Sequence, residues 1–313
     1  MMEEKLFGIQ TRLYGDASTK ASERFMSQDR ALWVSNHRTR IDWMLLWCVA
    51  WRTRTLHRLR IVLKAPLRNI PIFGWAMQHF HFIFLQRRWV DDQVNLRKVL
   101  PYLTSTEPEA SYLFFPEGTD LSESNLEKSV SFAIKNGLPP RRYSLYPRTK
   151  GWTFMLPLLR SQLTAIYDIT MFYVDYAANE RPSEKSLITG RVPRCIHFYI
   201  ERVDISAVPG NSETDLATWL DKRFEQKECM LQAFYESNGK LPDGAQPLLL
   251  GELGSDRVIL VIFWLVLIGI AIIDGWFGGG FSSLIAAFSI IAFYCIITAY
   301  GSGVDGYFLE SRR

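Results

Sequence analysis

The chain has few cysteines, and their arrangement suggests neither a disulfide framework nor a zinc site. Its four cysteines, Cys48, Cys195, Cys229 and Cys295, are scattered with no pairing spacing. Such usage is typical of a reduced, cytosol-facing protein. Histidine is also scarce, with five residues, and none has companions at the spacing of metal ligands. The sequence therefore predicts no bound metal.

Net charge is small, which argues against a nucleic-acid partner. The chain has 36 Lys and Arg residues against 32 Asp and Glu residues, for a net charge of +4. Basic residues nevertheless cluster between residues 52 and 68, at Arg52, Arg54, Arg58, Arg60, Lys64 and Arg68. A solvated helix-and-loop face explains such a run, and so does attraction to anionic lipid headgroups or substrate phosphates. The sequence leaves both interpretations open.

Apolar targeting signals are absent from the start of the sequence, but long uncharged runs occur near its end. Residues 1–30 are polar and charged, unlike a signal peptide. Residues 258–273 carry no charge and, beyond Asp274 and a glycine-rich stretch, neither do residues 281–300. A bilayer core of ~30 Å needs about twenty apolar residues in a helix. We therefore expect a C-terminal membrane hairpin of two apolar helices in residues 257–303.

The hairpin would turn at the glycines and place Arg257 and Arg312–Arg313 on one side of the membrane. That placement agrees with the positive-inside tendency and puts the rest of the chain in the cytosol. A buried helical pair in a soluble core is one alternative. A re-entrant or interfacial first segment is another.

Residues 1–250 are expected to form one mixed α/β domain. Short apolar runs predict strands at residues 31–35, 81–85, 111–115 and 168–174, with a weaker one at 192–203. Helical periodicity is found at residues 41–51 and 213–237, and residues 238–246 read as a linker to the hairpin. Three strands end at polar or charged motifs, which is where α/β enzymes collect their ligands.

A histidine and an aspartate lie five positions apart just after the first of these strands, in the string Asn36–Asp42. On one continuous helix, His37 and Asp42 would point ~140° apart. If the helix starts after His37, Asp42 can reach back to the ring. An aspartate that accepts from one imidazole nitrogen leaves the other free as a base. The pattern predicts His37 as catalytic base with Asp42 as its partner; helix capping is the alternative role.

A second motif, Phe115–Asp120, places Glu117 and Gly118 on a tight turn after another strand. Gly118 permits a positive φ, and exposed N–H groups of such a turn can hold a phosphate or a developing oxyanion. We expect Glu117 to anchor a hydroxyl, a neighbouring arginine or the turn itself. An ordinary surface turn is the alternative.

Two arginines are candidates for anion binding. Arg87 ends the predicted strand 81–85, from which a guanidinium suits bidentate phosphate recognition, with strand-end solvation as the alternative. Arg148 lies in the loop Tyr146–Gly151 and would contact a phosphate or acyl-CoA. The alternative is a plain loop with no binding role. His79 and His81 would share one face of the strand; without a carboxylate or cysteine beside them we read them as structural.

Together these strings resemble the four motifs of the glycerolipid (lysophospholipid) acyltransferase family. The first resembles Asn36–Asp42, and the second resembles Phe84–Arg87 without the glycine that often precedes it. The third resembles Phe115–Thr119, and the fourth loosely resembles Leu145–Pro147. The resemblance covers roughly residues 5–205. It implies a glycerol-3-phosphate acyltransferase-like α/β fold, with a mixed sheet flanked by helices.

The resemblance also implies a chemistry. Acyl-CoA would be the co-substrate, with no cofactor besides, and His37 would be the base with Asp42 as its partner. The third motif would hold the glycerophosphate part of the acceptor. The substrate-binding residues implied are Arg87, Glu117, Gly118, Thr119 and Arg148. No nucleophilic serine or cysteine is required, because the thioester is already activated.

Asp120 marks a departure within the family, since lysophosphatidate acyltransferases usually carry an arginine at this position. Asp120 therefore argues against a small phosphomonoester acceptor. The strings 73–78, 115–120 and 146–151 are similar to the lysocardiolipin acyltransferase branch. This implies transfer to lysocardiolipin, lysophosphatidylglycerol or lysophosphatidylinositol. The alternatives are a lysophosphatidate acyltransferase, a non-catalytic membrane-anchored lipid-binding protein and, third, a metal-dependent hydrolase.

Location follows from the same resemblance. We expect the endoplasmic reticulum membrane with the catalytic domain facing the cytosol, and mitochondria-associated membrane as the alternative. Family members commonly carry an apolar segment before the catalytic domain, and this sequence begins almost at the domain. The sequence is compatible with a short isoform and with an incomplete gene model. It therefore does not decide whether the protein is anchored at its N-terminus.

Overall fold

The computed structural model describes residues 9–250, except 24–25, 72, 175, 177–179, 184, 187–188, 211 and 238, together with 289, 292–294 and 296. The chain divides into two compact units, residues 1–62 with 93–250, and residues 63–92 with 251–313. The hairpin expected in residues 257–303 lies almost entirely outside the described residues. Within the described part, no helix is both long and apolar enough to span a bilayer.

Seven strands form the sheet of the first unit, in the order β3-β5-β2-β6-β7-β1-β8. The strands of the chain are β1 (Gln10–Gly15), β2 (Ala31–Ser35), β3 (Leu59–Lys64), β4 (Ile83–Leu85), β5 (Ser111–Phe114), β6 (Ala165–Tyr173), β7 (Cys195–Asp204) and β8 (Gln246–Pro247). Strands β3, β5, β2 and β6 run parallel, β7 is antiparallel to β6, and β1 is parallel to β7. The expected mixed α/β sheet is confirmed.

The two central strands explain why this sheet forms the core. Every residue of β2 and β6 is buried. Burial of every residue, as opposed to every second one, is expected of strands that are covered on both faces. Parallel neighbours also bring the carboxyl ends of β2, β5 and β6 to one edge of the sheet, where the two sequence motifs begin.

The helices are α1 (Ala17–Ser22), α2 (Asp42–Arg52), α3 (Phe73–His79), α4 (Trp89–Thr106), α5 (Glu123–Lys135), α6 (Thr149–Leu159) and α7 (Glu213–Glu236). The periodic segment 213–237 is confirmed as α7, which starts at Ser212, where the side chain accepts the Asp215 N–H. Its buried stripe comprises Leu216, Leu220, Phe224, Leu231 and Phe234. Trp219 stacks on Trp152 of α6 with ring centroids 5.3 Å apart.

Several boundaries differ from those expected. The strands β1, β3 and β8 and the helices α1, α3, α4, α5 and α6 were not anticipated. Gln246, which was expected to belong to the linker, pairs with β1 as part of β8. The strand expected at 81–85 is limited to Ile83–Leu85. The reason is that α3 continues to His79, and the chain then turns at His81, which has a φ of 52°. The expectation that His79 and His81 share a strand face is therefore wrong.

The second unit contains α3 and β4, and Tyr294 from the C-terminal part of the sequence contacts α3. Tyr294 stacks on Trp75 with ring centroids 5.0 Å apart. Its hydroxyl lies 2.7 Å from Nε2 of His79. Aromatic and polar contacts of this kind connect α3 to the segment around Tyr294.

Candidate active site

His37 and Asp42 meet in the turn between β2 and α2. Strand β2 ends at Ser35 and α2 begins at Asp42, so the helix starts after the histidine as the sequence predicted. Nδ1 of His37 lies 3.0 Å from Oδ2 of Asp42. The aspartate side chain is fully buried, whereas 17% of the histidine side chain is exposed. The pair thus has a buried acceptor and a ring that solvent or substrate can reach.

Two further donors hold the carboxylate of Asp42. The N–H of Thr39 donates to Oδ2 at 3.0 Å, and the hydroxyl of Tyr173 donates to Oδ1 at 2.5 Å. Burial, and then the charge of Asp42, raise the pKa of Tyr173 well above its usual value. The phenol therefore stays a proton donor. A carboxylate held in this way accepts from Nδ1 of His37 and leaves Nε2 as the basic nitrogen.

Asn36 extends the β2–β6 pairing by one residue through its side chain. Its Oδ1 accepts the N–H of Met171 at 2.9 Å, and its Nδ2 donates to the Met171 carbonyl at 3.4 Å. The strand β2 ends at Ser35, so His37 lies in the turn that follows. The imidazole also stacks on Phe115, with ring centroids 4.4 Å apart and an interplanar angle of 27°.

Glu117 joins the two motifs. It is buried, its Oε1 accepts the N–H of His37 at 2.7 Å, and its Oε2 accepts the N–H of Leu145 at 2.8 Å. The carbonyl of His37 in turn accepts the N–H of Leu121 at 2.9 Å. Of the anchoring roles expected for Glu117, the structure shows that of holding the turn. A contact with substrate stays a prediction.

Burial is the main influence on the acidity of Glu117. It raises the pKa of the carboxyl to about 8, while the two backbone hydrogen bonds act in the opposite direction and the charge of Asp42 adds to the rise. A protonated Glu117 adds no negative charge beside the His37 turn. The geometry indicates that Glu117 is a structural acceptor of backbone N–H groups.

Gly118 adopts a φ of 70°, the left-handed conformation that the tight turn was expected to need. Its N–H donates to the carbonyl of Phe115 at 3.0 Å, so this amide is already occupied, in contrast to the exposed N–H expected. The N–H of Arg148 donates to the carbonyl of Pro116 at 2.7 Å. A side chain at residue 118 would meet Cδ of Arg148 at 3.2 Å. The structure thus brings Arg148 against the Gly118 turn.

Thr119 and Asp120 are tied to the start of α5. Nδ2 of Asn125 donates to Oγ1 of Thr119 at 2.9 Å, and the threonine hydroxyl donates to Oδ1 of Asp120 at 3.3 Å. Oδ2 of Asp120 lies 3.9 Å from Nε of Arg40. The carboxylate therefore partly neutralises a cation of the first motif.

Arg87, the remaining sequence candidate, belongs to the second unit. It lies two residues after the end of β4 and has a φ of 62°. Its contact with a ligand stays a prediction. No group of three or more His, Cys, Asp or Glu side chains suited to a metal ion occurs among the residues that the structure describes.

Sequence reasoning missed Tyr173 as a partner of Asp42. The residue lies 131 positions away and belongs to a strand that was predicted correctly. Only the pairing of β2 with β6, in which Ser35 lies opposite Ile169, brings it to Asp42. The contact of Leu145 with Glu117 likewise depends on the fold and could not be predicted from the sequence motifs.

Two known protein families match parts of this chain. Residues 17–173, half of the chain, match the family described as Acyltransferase, and residues 186–264 match the Acyltransferase C-terminus. Lysocardiolipin acyltransferase 1 of Danio rerio is 41% identical over 236 residues, covering 75% of this chain and 58% of that protein.

Two further relatives carry other names. Probable 1-acyl-sn-glycerol-3-phosphate acyltransferase 5 of Arabidopsis thaliana is 37% identical over 223 residues, covering 71% of this chain and 58% of its own length. Lysophosphatidylinositol acyltransferase 10 of Caenorhabditis elegans is 38% identical over 237 residues, with shares of 74% and 58%. The chain thus spans less than two thirds of each relative. The chain belongs to the lysophospholipid acyltransferase family.

Proposed function

We propose that this protein transfers a fatty acyl chain from acyl-CoA to a hydroxyl of a lysophospholipid. The observation that carries the proposal is the partly exposed His37 ring, 3.0 Å from a fully buried Asp42. This arrangement supplies a base with a defined tautomer. Acyl transfer from a thioester chiefly requires such a base, since the acyl group is already activated.

The proposed reaction needs no covalent enzyme intermediate. Nε2 of His37 takes the proton of the acceptor hydroxyl as its oxygen attacks the thioester carbonyl. The tetrahedral intermediate collapses with cleavage of the carbon–sulfur bond, and the imidazolium returns the proton to the departing thiolate. The products are an ester and free coenzyme A. Asp42 and Tyr173 hold the ring during both proton transfers.

The proposed acceptors are lysophospholipids with larger headgroups, such as lysocardiolipin, lysophosphatidylglycerol and lysophosphatidylinositol. Asp120 supports this choice, because a carboxylate beside Arg40 weakens the local attraction for a phosphomonoester. Lysophosphatidate is the second candidate, and the name of the Arabidopsis thaliana relative favours it. A non-catalytic lipid-binding protein would not require the intact His37–Asp42 pair.

The proposed location is the endoplasmic reticulum membrane, with mitochondria-associated membrane as the alternative. The uncharged runs 258–273 and 281–300 support membrane attachment. The free cysteines Cys48, Cys195 and Cys229 suit a catalytic domain in the reducing cytosol.

An acceptor panel tests the proposed substrate. Membranes containing the full chain would receive labelled oleoyl-CoA or linoleoyl-CoA with lysocardiolipin, lysophosphatidylglycerol, lysophosphatidylinositol or lysophosphatidate. We expect His37-dependent transfer to the three larger acceptors. Transfer mainly to lysophosphatidate would overturn the acceptor assignment while keeping the mechanism. Absence of transfer to all four would contradict the proposed activity.

A further inference from the structure

A polar cavity lies in the segment between β6 and β7. Its volume is about 360 Å³, within the size range of small-ligand sites. The described side chains that line it include three cations and four hydroxyls: Arg181, Lys185, Arg191, Tyr176, Ser183, Ser186 and Thr189. None of these residues belongs to the four sequence motifs.

This segment is attached to the turn that carries the proposed base. Arg38 donates to the carbonyl of Glu180 from Nη2 at 2.6 Å and from Nε at 3.2 Å. The hydroxyl of Thr39 donates to the carbonyl of Pro182. Arg38 and Thr39 follow His37 directly in the chain, and the N–H of Thr39 also holds Asp42. The cavity is therefore anchored to the His37 turn by two side chains.

The described residues of the cavity lining carry more positive than negative charge. Among these described residues the one carboxylate is Glu180, which pairs with Arg191 at 3.1 Å. Arg181 and Lys185 add two further positive charges. Asp120 and Glu123 act on Arg181 electrostatically from outside the lining.

One donor of the Arg181 guanidinium, the buried Nε, has no hydrogen-bond partner among the described residues. Burial and the neighbouring Arg38 lower its pKa. A buried donor left without an acceptor is costly, and a phosphate oxygen would remove that cost, because a guanidinium binds phosphate through two parallel N–H donors.

We propose that this cavity binds a phosphate group of one of the two substrates, with Arg181 as its main ligand. The inference rests on the proposed acyl transfer. Two sources present the same chemistry, namely the phosphates of the acyl-CoA nucleotide and a phosphodiester of the acceptor headgroup. Lys185 and the hydroxyl of Ser183 would complete the site.

Steady-state kinetics of the full chain with an Arg181→Gln variant test the site. We expect the KM of one substrate to rise about tenfold to a hundredfold, the effect of losing a hydrogen bond between charged groups, with kcat changed by less than about threefold. The control is Arg142→Gln, which removes an exposed arginine outside the cavity. Unchanged KM values for both substrates, or a fall in kcat alone, would overturn the proposal.

Matched substrates identify the source of the phosphate. If the KM defect of Arg181→Gln appears with oleoyl-CoA and vanishes with oleoyl-3′-dephospho-CoA, the site holds the nucleotide 3′-phosphate. If it appears with lysocardiolipin and vanishes with lysophosphatidylglycerol, the site holds the second headgroup phosphate. A defect shared by both donors and absent from the acceptors assigns the pyrophosphate.

Two additions keep the test decisive. Arg181→Lys retains the positive charge but lacks the planar guanidinium. We expect its KM to rise less than the KM of Arg181→Gln. This variant still tests the site if Arg181→Gln fails to fold. Equilibrium binding of coenzyme A and of glycerophosphoglycerol to the His37→Ala protein, with and without Arg181→Gln, does not depend on turnover. Weaker binding of either probe supports the site even if transfer is absent, whereas equal binding of both overturns it.

Discussion

The hydroxyl of Tyr173 donates to Oδ1 of Asp42 at 2.5 Å, on the side of the carboxylate opposite His37. The strand β6 thereby supplies a hydrogen-bond donor to the motif Asn36–Asp42, which lies in a different part of the sequence. Arg38 lies over the rings of Tyr173 and Tyr235, at 5.4 Å and 4.6 Å from their centroids. The His37–Asp42 pair thus lies beside a cluster of two tyrosine rings and one guanidinium.

Tyr173→Phe removes this donor and little volume. We expect kcat to fall about tenfold with KM unchanged within about twofold, because Asp42 orients the base more than it contacts substrate. The free energy of unfolding should fall by about 1–3 kcal/mol, since a buried carboxylate oxygen loses its partner. Steady-state kinetics and denaturant unfolding of the full chain measure both.

Tyr167→Phe is the matched control for Tyr173→Phe. Tyr167 lies on the same strand and donates to Oδ2 of Asp29 at 2.7 Å, away from the His37 turn. A similar loss of stability with kcat retained is expected. If both variants keep full kcat, Tyr173 does not position the pair.

Glu117 should make stability depend on pH in an unusual direction. Its pKa in the folded chain is about 8, above the ordinary value of 4.5, so the folded state binds the extra proton between these values. This contribution to stability is complete below about pH 4.5 and is lost as pH rises through about 8. We expect the free energy of unfolding to decrease across this window, by at most about 1.4 kcal/mol per pH unit from this group.

Glu117→Gln removes the titrating group and tests that slope. The amide has one acceptor oxygen for the two N–H donors of His37 and Leu145, so the variant should also be less stable by about 1–3 kcal/mol. Its unfolding free energy should change less steeply between pH 5 and 8 than that of the natural chain. Identical slopes in the two proteins would refute the assignment to Glu117.

Gly118→Ala should lower activity through the turn. A φ of 70° costs a non-glycine residue about 1–2 kcal/mol, and the new methyl group would meet Cδ of Arg148 at 3.2 Å. We expect that loss of stability together with about a tenfold lower kcat/KM, because the turn carries Glu117. Gly137→Ala is the control, with a φ of 65° and nothing within 4 Å of the added carbon. Equal kcat/KM in the two variants would disprove a role for the Gly118 turn.

Asp120→Arg should change the choice of acceptor. The substitution restores the cation that lysophosphatidate acyltransferases usually carry after this turn and removes the partner of Arg40. We expect the ratio of kcat/KM for lysophosphatidate to that for lysophosphatidylglycerol to rise about tenfold. Asp120→Asn controls for loss of the negative charge alone. A ratio that stays constant would remove Asp120 from the specificity account.

The sequence was sufficient for the parts of the site that depend on local chain geometry. His37 and Asp42 lie within one turn, and a helix beginning at Asp42 is enough to bring them together. The φ of Gly118 likewise follows from the residue type and the turn. These features are local, so a motif and its spacing are enough to predict them.

Contacts that cross the sheet were not predictable from spacing. Tyr173 and Leu145 reach the two motifs through strand order and loop packing, and neither residue type marks its role. The same holds for Lys227, a lysine buried in α7 whose ammonium lies 2.5 Å from Oδ1 of Asp168. Sequence patterns place a lysine on the solvent-exposed face of a helix, because lysine is rarely buried without a partner. The partner of Lys227 becomes visible only once β6 is placed beside α7.

Acyl transfer by the natural chain and by His37→Ala, measured side by side, tests the central claim most directly. Labelled oleoyl-CoA and lysophosphatidylglycerol would be supplied to full-length protein in membranes, with unfolding monitored for both proteins. Loss of the general base should lower kcat about a hundredfold to ten-thousandfold while the free energy of unfolding changes by less than about 1 kcal/mol. A correctly folded His37→Ala protein that keeps its activity would contradict the assignment of His37 as the base.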